Sequence, residues 1–316
     1  MPIHFGIQLH PQHCTWDELR DFGLVVDSLG YDSLMTWDHF VPLYGDVGGP
    51  NLEGWQVLAA WGAVTKRVRI GMLVTGNTYR HPAVLVNMAA TLDNISGGRA
   101  ILGLGAAWHE GEHRMYGIPF DTAPIRLAKL REAARVARSL LRRERTSFAG
   151  KHYELSDARL GVRPVQKALP ILIGGGGEQV TLRITARYAD MWHGFGTPEV
   201  IARKIGALKR HCADVGRDPG EILPTTGGTI LIRESEGDLR ERLRQLQGRH
   251  RHPAGNAPAS PLPGVPNVDA WVERLRQQWE AGARGFIFGM GAPFDRESAE
   301  RLMREVKPRL EALVKA

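Results

Sequence analysis

Residues 33–42 read SLMTWDHFVP. An apolar run ends in Trp37, and a carboxylate and an imidazole, Asp38 and His39, follow at once. Histidine exchanges protons near neutral pH, and a neighbouring carboxylate can hold its tautomer or a ligand. An isolated histidine at such a place can equally be an ordinary hydrogen-bonded residue. Three further stretches carry small or backbone-rich chemistry. In LVTGNTYRHP, Leu73, Val74, Thr75 and Gly76 can lay backbone amides and carbonyls against a flat ligand, or make a plain turn. In GLGAAWHEGE, Gly103, Gly105, Ala106 and Ala107 are small enough for a ring to lie against the backbone. Gly174, Gly175, Gly176 and Gly177 precede a helical pattern, where free amides and the helix dipole favour a phosphate; a flexible turn is the plainer reading. Glu178 beside them fits a single phosphate ester better than a highly charged chain.

Three tempting motifs fail on their surroundings. The HEGEH of residues 109–113 matches the HExxH zinc pattern literally. Gly111 weakens the helix that must bring both histidines to one face, and the stretch follows a glycine-rich run, so no metal is expected. The GxG at 103–105 lacks the remainder of a dinucleotide fingerprint, and no GK[ST] follows the four glycines, so a Rossmann site and a nucleoside-triphosphate loop are both set aside.

The elements that must position these residues alternate. Short apolar runs at 4–9, 33–37, 68–74, 99–105, 170–177, 190–195, 222–234 and 284–290 read as strands. Helical patterns at 15–30, 51–66, 81–96, 124–144, 178–189, 198–215, 236–248 and 295–314 follow them. Thr15 with Glu18 forms a capping box, Gly30 can close that helix, and Pro82 stands in a first turn. Eight such units predict an α/β fold, a closed (β/α)8 TIM barrel, in preference to an open doubly wound sheet. Active sites of such barrels lie on loops at the C-terminal ends of the strands, where every candidate above falls. A short hairpin or excursion is expected at 147–164, and a Pro/Gly-rich loop at 248–267, a surface excursion or a lid. We expect one barrel domain over 1–316.

Composition excludes several classes. The 316 residues are 43% hydrophobic and 24% charged, ordinary for a globular chain. Two isolated cysteines, Cys14 and Cys212, argue against a disulfide framework or zinc knuckle and fit a reducing cytoplasm. No signal peptide or membrane span is expected. The net charge of +7 is mostly arginine at helical spacing, without the interleaved aromatics of a nucleic-acid platform.

Taken in order and spacing, SLMTWDHFVP, GNTYRHPAVLVNMAATLDNISGGRAILGLGAAWHEGEHRMYGIPF, SFAGKHYEL, RPVQKALPILIGGGGEQVTLRITARYADMWHGFG and GARGFIFGM resemble the luciferase-like (bacterial luciferase) superfamily over nearly the whole chain. WDHF resembles its coenzyme F420 branch. That resemblance implies a barrel with insertions, usually a homodimer, and hydride transfer at the deazaflavin C5 to or from a small organic substrate. It implies His39 as acid/base and Asp38 as a cofactor contact. It also implies a non-prolyl cis peptide at Leu73–Val74 behind the ring, cofactor contacts at Gly105, Ala106 and Ala107, and phosphate held at Gly174–Gly177. Trp37 and Trp108 would line the substrate pocket. Trp108 stands where the family's sugar-phosphate dehydrogenase carries a catalytic glutamate, which argues against glucose 6-phosphate and for a more apolar substrate. An FMN-dependent monooxygenase is the alternative on the same scaffold, and a non-catalytic flavin carrier a third reading.

Overall fold

The computed structural model describes residues 2–249 and 267–315. The loop expected at 248–267 therefore lies outside the described residues, but for its ends.

Eight parallel strands close on themselves: β1 (His4–Leu9), β2 (Ser33–Thr36), β3 (Arg69–Met72), β5 (Ala100–Gly105), β8 (Ile171–Gly174), β9 (Met191–His193), β10 (Leu223–Thr229) and β11 (Gly285–Met290). β1 pairs with both β2 and β11, and β3 pairs with β5, which completes the ring. A two-residue strand, β4 (Thr75–Gly76), continues β3 beyond a break and pairs with the end of β5. The fold is a (β/α)8 TIM barrel. The hairpin β6 (Thr146–Ala149) and β7 (Glu154–Ala158) forms in the stretch expected for it, starting one residue earlier.

Period-2 alternation sorts each strand. Phe5, Ile7 and Leu9 face the helices in the main core, while Met35, Ile101, Leu172, Met191 and Ile287 pack together inside the barrel. The interior is tight enough that glycine is required where strands approach. A Cβ on Gly103 would lie 1.8 Å from the Met72 carbonyl oxygen, and one on Gly227 1.8 Å from that of Ile287.

The helices ring the barrel. α1 (Trp16–Leu29) starts with the capping box of Thr15 and Glu18 and stops at Gly30, whose φ of 81° suits glycine. α2 (Gly54–Val64) and α3 (Pro82–Ile95) follow β2 and the β3–β4 unit. α5 (Ala123–Arg142), α6 (Thr181–Tyr188), α7 (Pro198–Asp214) and α8 (Glu236–Arg249) complete the order up to the undescribed stretch.

Five details differ from expectation. A short helix, α4 (Glu110–Met115), forms in HEGEH despite Gly111, because the His109 ring caps it. α6 begins at Thr181, not 178, so the glycines end in a connector before the helix starts. β10 stops at Thr229: beyond it Ile232 N donates to Ser298 Oγ and leaves the sheet. α9 (Val268–Glu280) was not expected at all, although Val268, Trp271, Val272 and Leu275 repeat at helical spacing behind an Asn267 cap. The expected closing helix is broken into α10 (Arg296–Arg301), a π-helical turn at Leu302–Val306, and α11 (Lys307–Lys315).

Candidate active site

β2 is fully buried and delivers Trp37, Asp38 and His39 to the C-terminal mouth of the barrel. The Trp37 ring stacks on His10, which follows β1, at 4.0 Å between centroids. Asp38 is buried. Its Oδ2 accepts from Gly76 N at 3.1 Å and from Arg80 Nη1 at 2.7 Å. Burial raises the Asp38 pKa, and the Arg80 guanidinium opposes that rise. Arg80 is held in turn by Glu53 Oε1 at 2.7 Å. Asp38 thus ties the end of β2 to the strand beside it.

The break between β3 and β4 is the Leu73–Val74 peptide, which is cis. Gln8 Nε2 from β1 donates to the Leu73 carbonyl at 2.5 Å. The Val74 side chain then turns toward two glycines. A Cβ on Gly105 would lie 2.5 Å from Val74 Cγ2, and one on Gly174 2.8 Å from Val74 Cγ1. These two glycines make room for Val74 as well as for any ligand. Ala106 and Ala107 follow β5 half-buried, Ala107 with a positive φ of 59°. Trp108 is 63% exposed and stands edge-on to His39, with centroids 5.6 Å apart.

His39 meets a partner that the sequence reading did not name. Its Nδ1 lies 2.8 Å from Oε2 of Glu112, a wholly buried carboxylate on α4. The same oxygen accepts from Tyr79 OH at 2.7 Å. Oε1 accepts from the amides of Phe40 and Val41. Burial alone would raise the Glu112 pKa, but His39, Tyr79 and the Phe40 amide outweigh it and hold the carboxyl down at about 2. The histidines of HEGEH are otherwise engaged. His109 Nδ1 accepts from Glu112 N at 3.0 Å as the cap of α4, and His113 Nε2 lies 2.6 Å from Thr78 Oγ1. Among the described residues no group of three or more His, Cys, Asp or Glu side chains is placed to hold a metal ion.

The glycine run approaches from the far side of Val74. Gly175 has a φ of 125°, and its amide donates to the His193 carbonyl at 3.0 Å. Lys204 brings an ammonium to the turn: its Nζ lies 2.5 Å from where a Gly176 Cβ would be and donates to Phe195 O at 2.9 Å. Glu178 pairs with Arg203 at 2.8 Å. The helix dipole is less directly aimed at these glycines than expected, because α6 starts after Val180; Lys204 supplies positive charge there instead.

Strand ends β2, β3–β4 and β5 therefore converge on one place, and Val74 with Gly174 joins the β8 turn to it. Sequence reasoning missed Glu112, Tyr79, Arg80 and His193. His193 is buried at the end of β9, kept neutral by burial that lowers its pKa to about 3, with Nε2 lacking a partner. The signal for Glu112 is its place inside HEGEH, a stretch whose literal match is to a metal motif.

The buried polar atoms at this mouth fit a polar cofactor edge. Asp38 Oδ1, Thr75 Oγ1 and Asn77 Oδ1 are buried without a hydrogen-bond partner, an arrangement that costs free energy unless a ligand or water completes it.

The profile of one protein family, described as luciferase-like monooxygenase, matches residues 1–306. An F420-dependent glucose-6-phosphate dehydrogenase of Microbacterium testaceum is 36% identical over 230 residues, covering 70% of this chain and 66% of that one. A phthiodiolone/phenolphthiodiolone dimycocerosates ketoreductase of Mycobacterium bovis is 33% identical over 203 residues, covering 62% of this chain and 52% of that one. The matches thus span just under two thirds, or less, of these curated relatives' own length. The solved structure of an F420-dependent secondary alcohol dehydrogenase, in complex with an F420-acetone adduct, superposes with a TM-score of 0.83 at 19% identity, covering 98% of this chain and 99% of that one. That likeness speaks for the fold.

Proposed function

The chain belongs to the luciferase-like monooxygenase family, and from that premise we propose that it is a coenzyme F420-dependent oxidoreductase acting on a small alcohol or carbonyl compound. The F420-dependent name of the 36%-identical relative supports the cofactor. The names of both curated relatives, a dehydrogenase and a ketoreductase, support redox chemistry at a carbon–oxygen bond.

The observation that carries the reading is the Asp38–His39 pair beside the backbone of residues 73–76. Asp38, Thr75 and Gly76, with the turn at Gly175–Gly177 and Lys204, are the residues that would hold the cofactor. When bound, F420 supplies a two-electron hydride carrier at its deazaflavin C5. The chain's own part is to bind, to orient and to move one proton. His39 takes the hydroxyl proton in the oxidising direction and returns it in the reducing direction. Its ring stands edge-on to both Trp37 and Trp108, with centroids 5.9 and 5.6 Å away, so the proton is exchanged beside two aromatic walls at the mouth of the barrel.

The relatives put a sugar phosphate among the first substrates to try. Trp108, standing in for the family's glutamate, supports an apolar alcohol or ketone instead. A screen of sugar phosphates against apolar secondary alcohols, read by loss of the oxidised deazaflavin absorbance, tests the proposal. Turnover with any alcohol that vanishes in His39→Ala supports it; F420 left unreduced by every alcohol, and reduced F420 unoxidised by every ketone, counts against it. The family profile's own description, a monooxygenase, favours a second reading, FMN-dependent oxygenation, which the same screen with FMN and oxygen addresses. The resemblance also supports a homodimer, open to test by sedimentation velocity.

A further inference from the structure

We propose that Glu112 is a positioning residue that locks the His39 imidazole as its Nδ1–H tautomer and so assigns proton exchange to Nε2. The inference deepens, and rests on, the reading of His39 as the acid/base.

An ionised carboxylate only accepts, with about four lone-pair positions on its two oxygens. Glu112 has four neighbours that fill them: His39 Nδ1 and Tyr79 OH at Oε2, and the amides of Phe40 and Val41 at Oε1. Both amides are obligate donors, so Oε1 cannot carry a proton without losing one of them. Tyr79 OH lies 2.7 Å from Oε2 and finds in it the acceptor its hydroxyl needs. A carboxylate in this setting stays ionised, and the low Glu112 pKa agrees with that. The His39 Nδ1 facing it must then carry the hydrogen. Nε2 is left as an acceptor in the neutral ring and a donor in the imidazolium, which is what a proton-exchanging atom requires.

Glu112 is itself held from three sides. Its amide donates to His109 Nδ1 at 3.0 Å, its neighbour His113 is clamped between Thr78 Oγ1 and the His109 carbonyl, and the Tyr79 ring packs on Phe40 and His113 at 4.7 and 4.8 Å. Among the described residues, the titratable groups in contact with this arrangement are Glu112, Tyr79 through Glu112, and His109 at 6.0 Å between ring centroids from His39. Of these, Glu112 is in hydrogen-bond contact with the His39 ring, at 2.8 Å.

The direct test needs no cofactor. Protein labelled with 15N in its histidines is studied by long-range 1H–15N correlation, with His39 assigned by its loss in His39→Ala. The expected result is Nδ1–H with Nε2 unprotonated at a pH where the ring is neutral. In E112Q the amide oxygen stays on the Phe40 and Val41 amides and the NH2 turns to His39, so the ring should flip to the Nε2–H tautomer. That variant should bind F420 within threefold of the parent while kcat falls at least 100-fold. A wild-type His39 in the Nε2–H form, or an E112Q kcat within threefold of the parent, would overturn the proposal. Should E112Q fail to fold, the wild-type spectrum still decides. The spectrum is also independent of whether the cofactor is F420 or FMN, so failure of the cofactor reading is told apart from failure of this one.

Discussion

The Val74 side chain fills the space that a Cβ on Gly174 would take, at 2.8 Å from its Cγ1 and 3.1 Å from its Cγ2. Two strands that are not sequence neighbours are thus keyed together behind the mouth of the barrel by one branched side chain and one missing one. The key predicts that Gly174→Ala destabilises by roughly 1–3 kcal/mol, the usual cost of overpacking. Val74→Ala in the same chain should recover part of that loss. Denaturant unfolding of the two variants checks it; full stability in the single variant would show that Val74 can move aside.

Arg80 predicts a larger effect from the surface side. It is the ion partner of the buried Asp38, at 2.7 Å. Removing one partner of a buried pair strands the other, at about 3–5 kcal/mol. Arg80→Ala should therefore lower the unfolding midpoint well beyond the effect of a surface arginine such as Arg240, whose pair with Glu236 is exposed. Equal midpoints for the Arg80 and Arg240 variants would show that Asp38 is satisfied without Arg80.

Glu112 makes stability depend on pH in a stated direction. Its carboxyl is held at about 2, against an ordinary 4.5. A depressed carboxyl contributes stability above its ordinary pKa, and that contribution is lost as pH falls from about 4.5 towards 2. Thermal unfolding of the wild type should therefore fall more steeply over that window than unfolding of E112Q. Parallel curves would mean that Glu112 titrates normally in the fold.

Trp108 predicts substrate class. If it replaces a catalytic glutamate and selects apolar substrates, Trp108→Glu should weaken kcat/KM for apolar alcohols by at least tenfold. Any activity on sugar phosphates should rise in the same variant. With 63% exposure the substitution leaves the core untouched, so stability should stay within about 0.5 kcal/mol. Unchanged selectivity would place the substrate elsewhere on the mouth.

The fold was legible because its signals are local and repeated. Thr15 with Glu18, Gly30 and Pro82 mark helix boundaries that the structure keeps. The apolar runs that became β1, β5 and β11 could be read almost residue by residue. α9 is masked in the sequence by the Pro/Gly-rich stretch before it, although Asn267 and the spacing of Trp271 and Leu275 announce a helix. Asp38 and His39 could be picked out because they end a buried strand. Glu112 could not be tied to His39: they lie 73 positions apart, and only barrel closure together with a short helix capped by His109 brings them within 2.8 Å. His193 was hidden for a related reason. Nothing in MWHGF shows that its ring points into the barrel, where it meets Thr225 Oγ1 at 3.0 Å.

The central claim is the cofactor, and the most direct measurement is a pair of equilibrium titrations of the purified protein, with oxidised F420 and with FMN, followed by quenching of tryptophan fluorescence. The account predicts tight F420 binding that His39→Ala retains, with FMN binding at least tenfold weaker. Tight FMN binding with negligible affinity for F420 would contradict it and move the search to oxygen-dependent chemistry.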